Sequence, residues 1–325
     1  MSLWGKINMV KEIKSWKDYK DLLELLISRG MGVECQQQAL HYLENIGYYR
    51  LSGYWHPFRQ KNELQSQQKA KLVLLDDFKP DTYFSTVLNL YIFDKKLRLL
   101  ALDALERIEM AVRNDVVHLL GKLHPLAHIE PHQTDPQTRN NICCLHPNFV
   151  NTDKYVRWKE KHNKLVERAK NRESIKHYMK QYGGVLPIWV SAEVWDFGLL
   201  SQLFAGMRFH DKNMIAKKYG VKHGKTLEQW LKSLNFIRNV CAHHGRLWNL
   251  NIVNTAAPLD DFVSINQYRV FMYLVIMQKM LLTINPKSTW NKRLYELLKS
   301  FPNAENGAIS IQDMGYPKIG KIGKN

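Results

Sequence analysis

The chain has 325 residues, 45% of them hydrophobic and 24% charged, values that exclude wholesale disorder and allow one large or two modest domains with a buried core. Its 47 Lys and Arg against 30 Asp and Glu give a formal charge of +17, an excess that favours polyanions, either nucleic acid or an acidic membrane surface. Four cysteines, with Cys143 and Cys144 adjacent, do not make a disulfide framework, so reduced thiols are expected.

Apolar residues recur at intervals of three and four while strand signals are sparse, which predicts an all-α chain. Residues 1–10 lack the continuous apolar stretch of a secretory leader, and the longest apolar segment, 270–284, is broken by Gln278 and Lys279. A soluble cytoplasmic protein that engages no membrane is the expectation.

Ser15 is the expected N-cap of a first helix, and a second follows over 35–45, the two ending at Gly30 and Gly47. The Tyr- and Trp-rich block after Gly47 reads as a compact turn, and 60–71 as a polar loop or fraying helix. From Asp81, a capping candidate, to residue 120 neither Pro nor Gly occurs, which predicts one very long helix or two with a kink. Gly121 and Pro125 are expected to stop it, and the proline-rich 124–148 reads as a loop. Residues 154–180 hold ten Lys and Arg against three Glu, interleaved with Tyr155, Trp158 and Tyr178, and are expected to be helical. Further helical units are predicted over 187–204, 227–248 and 261–283, with an irregular tail beyond.

One run stands apart: Phe236-Ile-Arg-Asn-Val-Cys-Ala-His-His-Gly-Arg-Leu-Trp-Asn249. Arg238 is a permanent cation able to grip a phosphate bidentately, and His243 carries a side chain whose ordinary pKa suits proton transfer near neutrality, so the pair points to chemistry on a phosphodiester. At about 100° per residue, Arg238 and His243 lie roughly 140° apart on a helix, whereas Asn239 and His243 share a face. One helix therefore cannot aim both at one atom, and a partner helix is required. The same Arg-Asn start and spacing recur upstream at Arg113-Asn-Asp-Val-Val-His118, 125 residues earlier.

The Arg-Asn-x-x-x-His pattern resembles the HEPN superfamily, whose signature is an Arg, a short spacer and a His. Three blocks, Gly47-Tyr-Tyr-Arg-Leu-Ser-Gly-Tyr-Trp-His-Pro-Phe-Arg59, Pro187-Ile-Trp-Val-Ser-Ala-Glu-Val-Trp-Asp-Phe-Gly198 and Arg238 to Asn249, resemble in order those of the bacterial abortive-infection (Abi-like) family. The resemblance implies an all-α HEPN-like bundle over 79–285, with a basic insertion at about 122–185, an N-terminal helical and aromatic region over 1–78 and an irregular tail over 286–325. It also implies a phage-defence, toxin-like ribonuclease that cleaves RNA through the 2′-OH, with no metal and no cofactor.

On that reading Arg238, Asn239 and His243, with Arg113 and His118, are the catalytic candidates. RNA contacts are expected from Arg246, His244, Lys154, Arg157, Trp158, Lys161, Lys164, Arg168 and Arg50, with Trp158 as a base-stacking surface. The partner helix comes either from the Arg113/His118 pair of the same chain or from a second copy, and the denser resemblance at Arg238 favours a homodimer. The rival is a noncatalytic protein that clamps a structured noncoding RNA with the same residues; a further alternative is an interaction protein whose helices dimerise. Structural roles compete at each position: Arg238 and His243 in a buried polar network, Arg113 in an ion pair with Glu109. His124, His128, His132, Cys143, Cys144 and His146 share one loop, but their spacing matches no standard zinc site.

Overall fold

A computed structural model describes residues 15–70, 72–134, 139–259 and 265–317. The fold is all-α, with two small antiparallel hairpins as its regular β structure among the described residues. By contact the chain groups into two compact units, one of residues up to 92 with 302–310, the other of 93–301 with the residues from 311.

In the first unit, helices Tyr19–Ser28, Gln36–Ile46 and Tyr48–Trp55 bury Leu26, Leu43, Leu51 and Trp55. The first helix is capped by Asp18, whose carboxylate accepts the Asp21 amide at 2.8 Å, rather than by Ser15. The aromatic block after Gly47 is a helix and not a turn, because Leu51, Tyr54 and Trp55 fall on one face and all three are buried. Strands Arg59–Lys61 and Leu74–Phe78 pair around a bulge and flank the short helix Glu63–Gln68. They are too short to show an alternating pattern in the sequence. Asp81 takes a left-handed conformation (φ 57°) and is not a cap, since the next helix begins at Phe84.

That helix, Phe84–Leu123, is a single 40-residue element with Gly121 inside it. In the second unit it is joined by Asp153–Arg168, Glu173–Gln181, Phe197–Ala205, Phe209–Lys218, Gly224–Ala242, Val270–Ile284 and Trp290–Lys299. The sequence reading of 261–283 as a helix falls partly on residues outside the described set. Helix Gly224–Ala242 packs against both Phe197–Ala205 and Phe209–Lys218. Gly224 permits that approach, since a Cβ there would stand 2.5 Å from the Lys212 Cβ. The tail is not irregular from 286: Trp290–Lys299 buries Trp290, Leu294 and Leu298, and the Trp290 indole donates to the Leu100 carbonyl at 2.8 Å. The described residues of 124–148 are likewise not all loop, with strands His132–Thr134 and Asn141–Cys143 in register. No helix among the described residues is long and apolar enough to cross a membrane.

Candidate functional site

Helix Gly224–Ala242 places Ile237 and Cys241 in the core and Asn239, Ala242 and His243 at the surface, with Arg238 half-buried between. The helix ends at Ala242, six residues short of the predicted 227–248, and His243 is its C-cap. The His244 amide donates to the Cys241 carbonyl at 3.1 Å and the Gly245 amide to the Val240 carbonyl at 2.7 Å, the paired closure that ordinarily places glycine at the left-handed residue. Here that residue is His244, with φ 59° and an exposed side chain. A side chain in this conformation costs on the order of 1 kcal/mol. His244→Gly and His244→Ala both remove the imidazole, so their difference isolates the backbone. The glycine variant should be more stable by about 1 kcal/mol in urea unfolding, and equal midpoints would show that the turn is unstrained.

The turn is anchored from the long helix by two residues that the sequence reading did not single out. Asp94 is fully buried and accepts the backbone amides of Leu247 (3.1 Å) and Trp248 (2.7 Å). Arg98, one helical turn on and also buried, pairs with Asp94 and donates to the Gly245 carbonyl at 3.4 Å. Opposite charges four residues apart inside an apolar helical stretch were the available signal. Burial, with the Asp94 charge adding to it, pushes the Cys241 thiol up to about 12, so Cys241 is an inert core group.

Arg113 and Arg238 come to bear on one carboxylate, Glu109. Arg113 is 7% exposed; its Nη2 donates to Glu109 Oε1 at 2.6 Å and to the Trp195 carbonyl at 2.9 Å, and its Nε is buried without a partner. Burial raises the Glu109 carboxyl above its ordinary range, opposed by the charges of Arg113 and Arg238. Burial also acts to raise Asp196, but hydrogen bonds from Lys161 and the Leu199 amide, with the charges of Lys161 and Arg238, hold it below the ordinary range. Arg238 itself donates to the Asn239 side chain at 3.3 Å. His118 is exposed and lines a groove with Lys122, Trp189, Met214 and Lys218, a set that includes none of the residues holding Arg113.

Of the residues expected on an RNA-facing surface, Lys154, Arg157, Lys164 and Arg168 are exposed along Asp153–Arg168, and Lys161 pairs with Asp196 at 2.7 Å. Arg246 is half-buried in the anchored turn, and Arg50 is half-buried in the first unit. Trp158 is a correction: at 1% exposure it cannot stack on a base. Its indole donates to the Leu199 carbonyl at 2.9 Å and its ring stacks on His162. Tyr155, also buried, donates to the His128 carbonyl. Residues 155, 158 and 162 form the apolar stripe of an amphipathic helix, and the cations occupy the other face.

The loop histidines and cysteines disperse. His128 is buried, with Nε2 2.9 Å from the Ser191 hydroxyl and Nδ1 without a partner, and its ring lies 5.1 Å from that of His162. His124 and His146 each accept a backbone amide, and Cys144 is a buried free thiol. Among the described residues no three His, Cys, Asp or Glu side chains converge as a metal-binding group.

Burial holds His162 down at about 4 and His128 also well below the ordinary imidazole range. Because the folded state binds these protons less readily than the unfolded chain, stability is full above about pH 6.5 and is lost progressively as pH falls toward 4. His162 alone contributes about 3 kcal/mol to that loss. Urea midpoints at pH 7.5 and 5 should differ in this direction, and His162→Phe should flatten the dependence. A midpoint that does not move between those pH values would exclude neutral buried imidazoles.

No curated protein and no solved structure matches the chain. The family described as Abi-like protein matches residues 41–249, a span that holds both Arg-Asn-x-x-x-His pairs, the Trp195-Asp196 segment that meets Arg113 and Lys161, and the turn anchored by Asp94 and Arg98. With more than half of its length matched, the chain belongs to the Abi-like protein family.

Proposed function

We propose that this protein is a phage-defence endoribonuclease of the abortive-infection type, acting on RNA through a HEPN-like Arg/His pair. The observation that carries the reading is the treatment of one turn: exposed Asn239, His243 and His244 sit at a helix end that a fully buried Asp94 holds in place, with a histidine where glycine is the relaxed choice. Non-glycine residues held in the left-handed region cluster at functional sites, and His244 is one. In the reaction, one imidazole takes the proton of the RNA 2′-OH, the 2′-oxygen bonds to phosphorus, and the bond to the 5′-oxygen breaks as a second imidazole protonates it. Arg238 stabilises the charge on the non-bridging oxygens. Since the nucleophile belongs to the RNA, the scheme calls on no metal and leaves DNA untouched.

Arg113 is committed to Glu109 and the Trp195 carbonyl, so it acts as a positioning group and the second acid/base is supplied by His243 of another copy in a homodimer. The same observation favours one rival, a noncatalytic clamp for structured RNA, because each chain then brings only the Arg238/His243 pair to the RNA. End analysis of labelled RNA incubated with the protein in EDTA decides between them. A 2′,3′-cyclic phosphate and a 5′-OH end are expected, with specific activity falling on dilution as dimers dissociate. Intact RNA retained by the protein would establish the clamp instead.

A further inference from the structure

With Trp158 buried, base stacking must come from elsewhere, and a groove of about 740 Å³ beside the basic helix offers it. Phe209, the first residue of helix Phe209–Lys218, is 63% exposed and meets the His146 ring edge-on at 4.9 Å. Beneath it Lys212 is buried, its Nζ 5.1 Å from the Phe209 ring centre and bonded to Glu228 (2.9 Å) and the Ala205 carbonyl (3.1 Å). Phe149 seals the floor against Gly206, where a Cβ would stand 2.1 Å from its ring. Lys154, Arg157 and Lys225 reach the groove from two other helices. The lining thus carries four lysines and arginines against one carboxylate, Glu228, which Lys212 and Lys225 already engage. Arg157 has its nearest carboxylate, Asp153, only at 4.0 Å and is 77% exposed.

An aromatic face set among cations is the arrangement that holds unpaired nucleotides: the ring stacks on a base of any identity, and the cations follow the backbone. The groove lined by His118 also holds an exposed aromatic, Trp189, but it carries only Lys122 and Lys218 against Asp115, which pairs with Lys218. We infer that the Phe209 groove binds single-stranded RNA, one base on the Phe209 ring and the flanking phosphates on Lys154, Arg157 and Lys225. This deepens the proposed function, on which its choice of RNA rests, by assigning a substrate-holding site built from residues apart from Arg238 and His243.

The test uses the full-length protein and a fluorescein-labelled, unstructured 2′-O-methyl RNA 12-mer, which lacks the attacking hydroxyl and therefore reports binding apart from cleavage. Anisotropy titrations across a salt series should show Phe209→Leu weakened by roughly 5- to 100-fold and Phe209→Tyr close to wild type. Lys154→Gln combined with Arg157→Gln should reduce the slope of log affinity against log salt by about 1.4. Unchanged affinity in Phe209→Leu, unchanged salt slope in the double variant, or equal affinity for a blunt RNA duplex would each overturn the assignment. So would failure of the wild type to retain the oligomer at physiological salt, which would leave the groove to an acidic protein partner. Wild-type protein that binds through the groove yet leaves unmodified RNA intact would keep the site and remove the nuclease reading; cleavage with these variants indistinguishable from wild type in binding would do the reverse.

Discussion

Asp94→Ala should destabilise the protein by about 3–5 kcal/mol, the loss expected when one member of a buried ion pair is removed and the other stays behind. Arg98 would remain buried without its carboxylate, and the Leu247 and Trp248 amides would lose the acceptor that ends their chain of hydrogen bonds. Asp94→Asn keeps an oxygen in place for one amide while removing the charge, so its loss should be smaller. Replacing both residues by apolar ones, Asp94→Leu with Arg98→Met, removes the stranded charge but not the two orphaned amides. It should therefore recover only part of the stability, whereas a simple buried pair would recover nearly all of it. Urea midpoints of the four proteins measure the series. A loss below about 1 kcal/mol in Asp94→Ala would mean that the turn does not depend on this anchor.

Much of the helical frame was legible, and the misses have physical causes. The recurrence of Val87, Tyr91, Leu105, Ile108, Val112 and Val116 is long enough that no turn chemistry competes with it, and the helix duly spans Phe84–Leu123. Hairpins of three to five residues leave no period to detect, so Arg59–Lys61 with Leu74–Phe78 and His132–Thr134 with Asn141–Cys143 stayed hidden. Trp158 lies in a basic segment with aromatics that resembles one surface, yet the 155, 158, 162 spacing marks a buried stripe. Phe209, at the first residue of its helix, is exposed although its residue type favours burial, which local spacing does not announce. The Arg238/His243 run was conspicuous from charge density alone. The helix end at Ala242, the left-handed His244 and the reach of Asp94 across more than 150 residues of chain could not be read from local spacing. Arg113 illustrates the converse: Glu109 four residues before it was enough to suggest the ion pair the structure contains.

The proposed proton transfer by His243 is tested most directly by the single-turnover rate of His243→Ala beside wild type, in EDTA, on an RNA that the wild type cleaves. His243 is exposed at the end of its helix and its backbone amide carries the last helical hydrogen bond, so the alanine variant should keep its unfolding free energy within about 0.5 kcal/mol of wild type. Its cleavage rate should fall by about 10²- to 10⁴-fold, the usual contribution of a positioned acid or base. Wild-type cleavage by a fully folded His243→Ala protein would contradict the account.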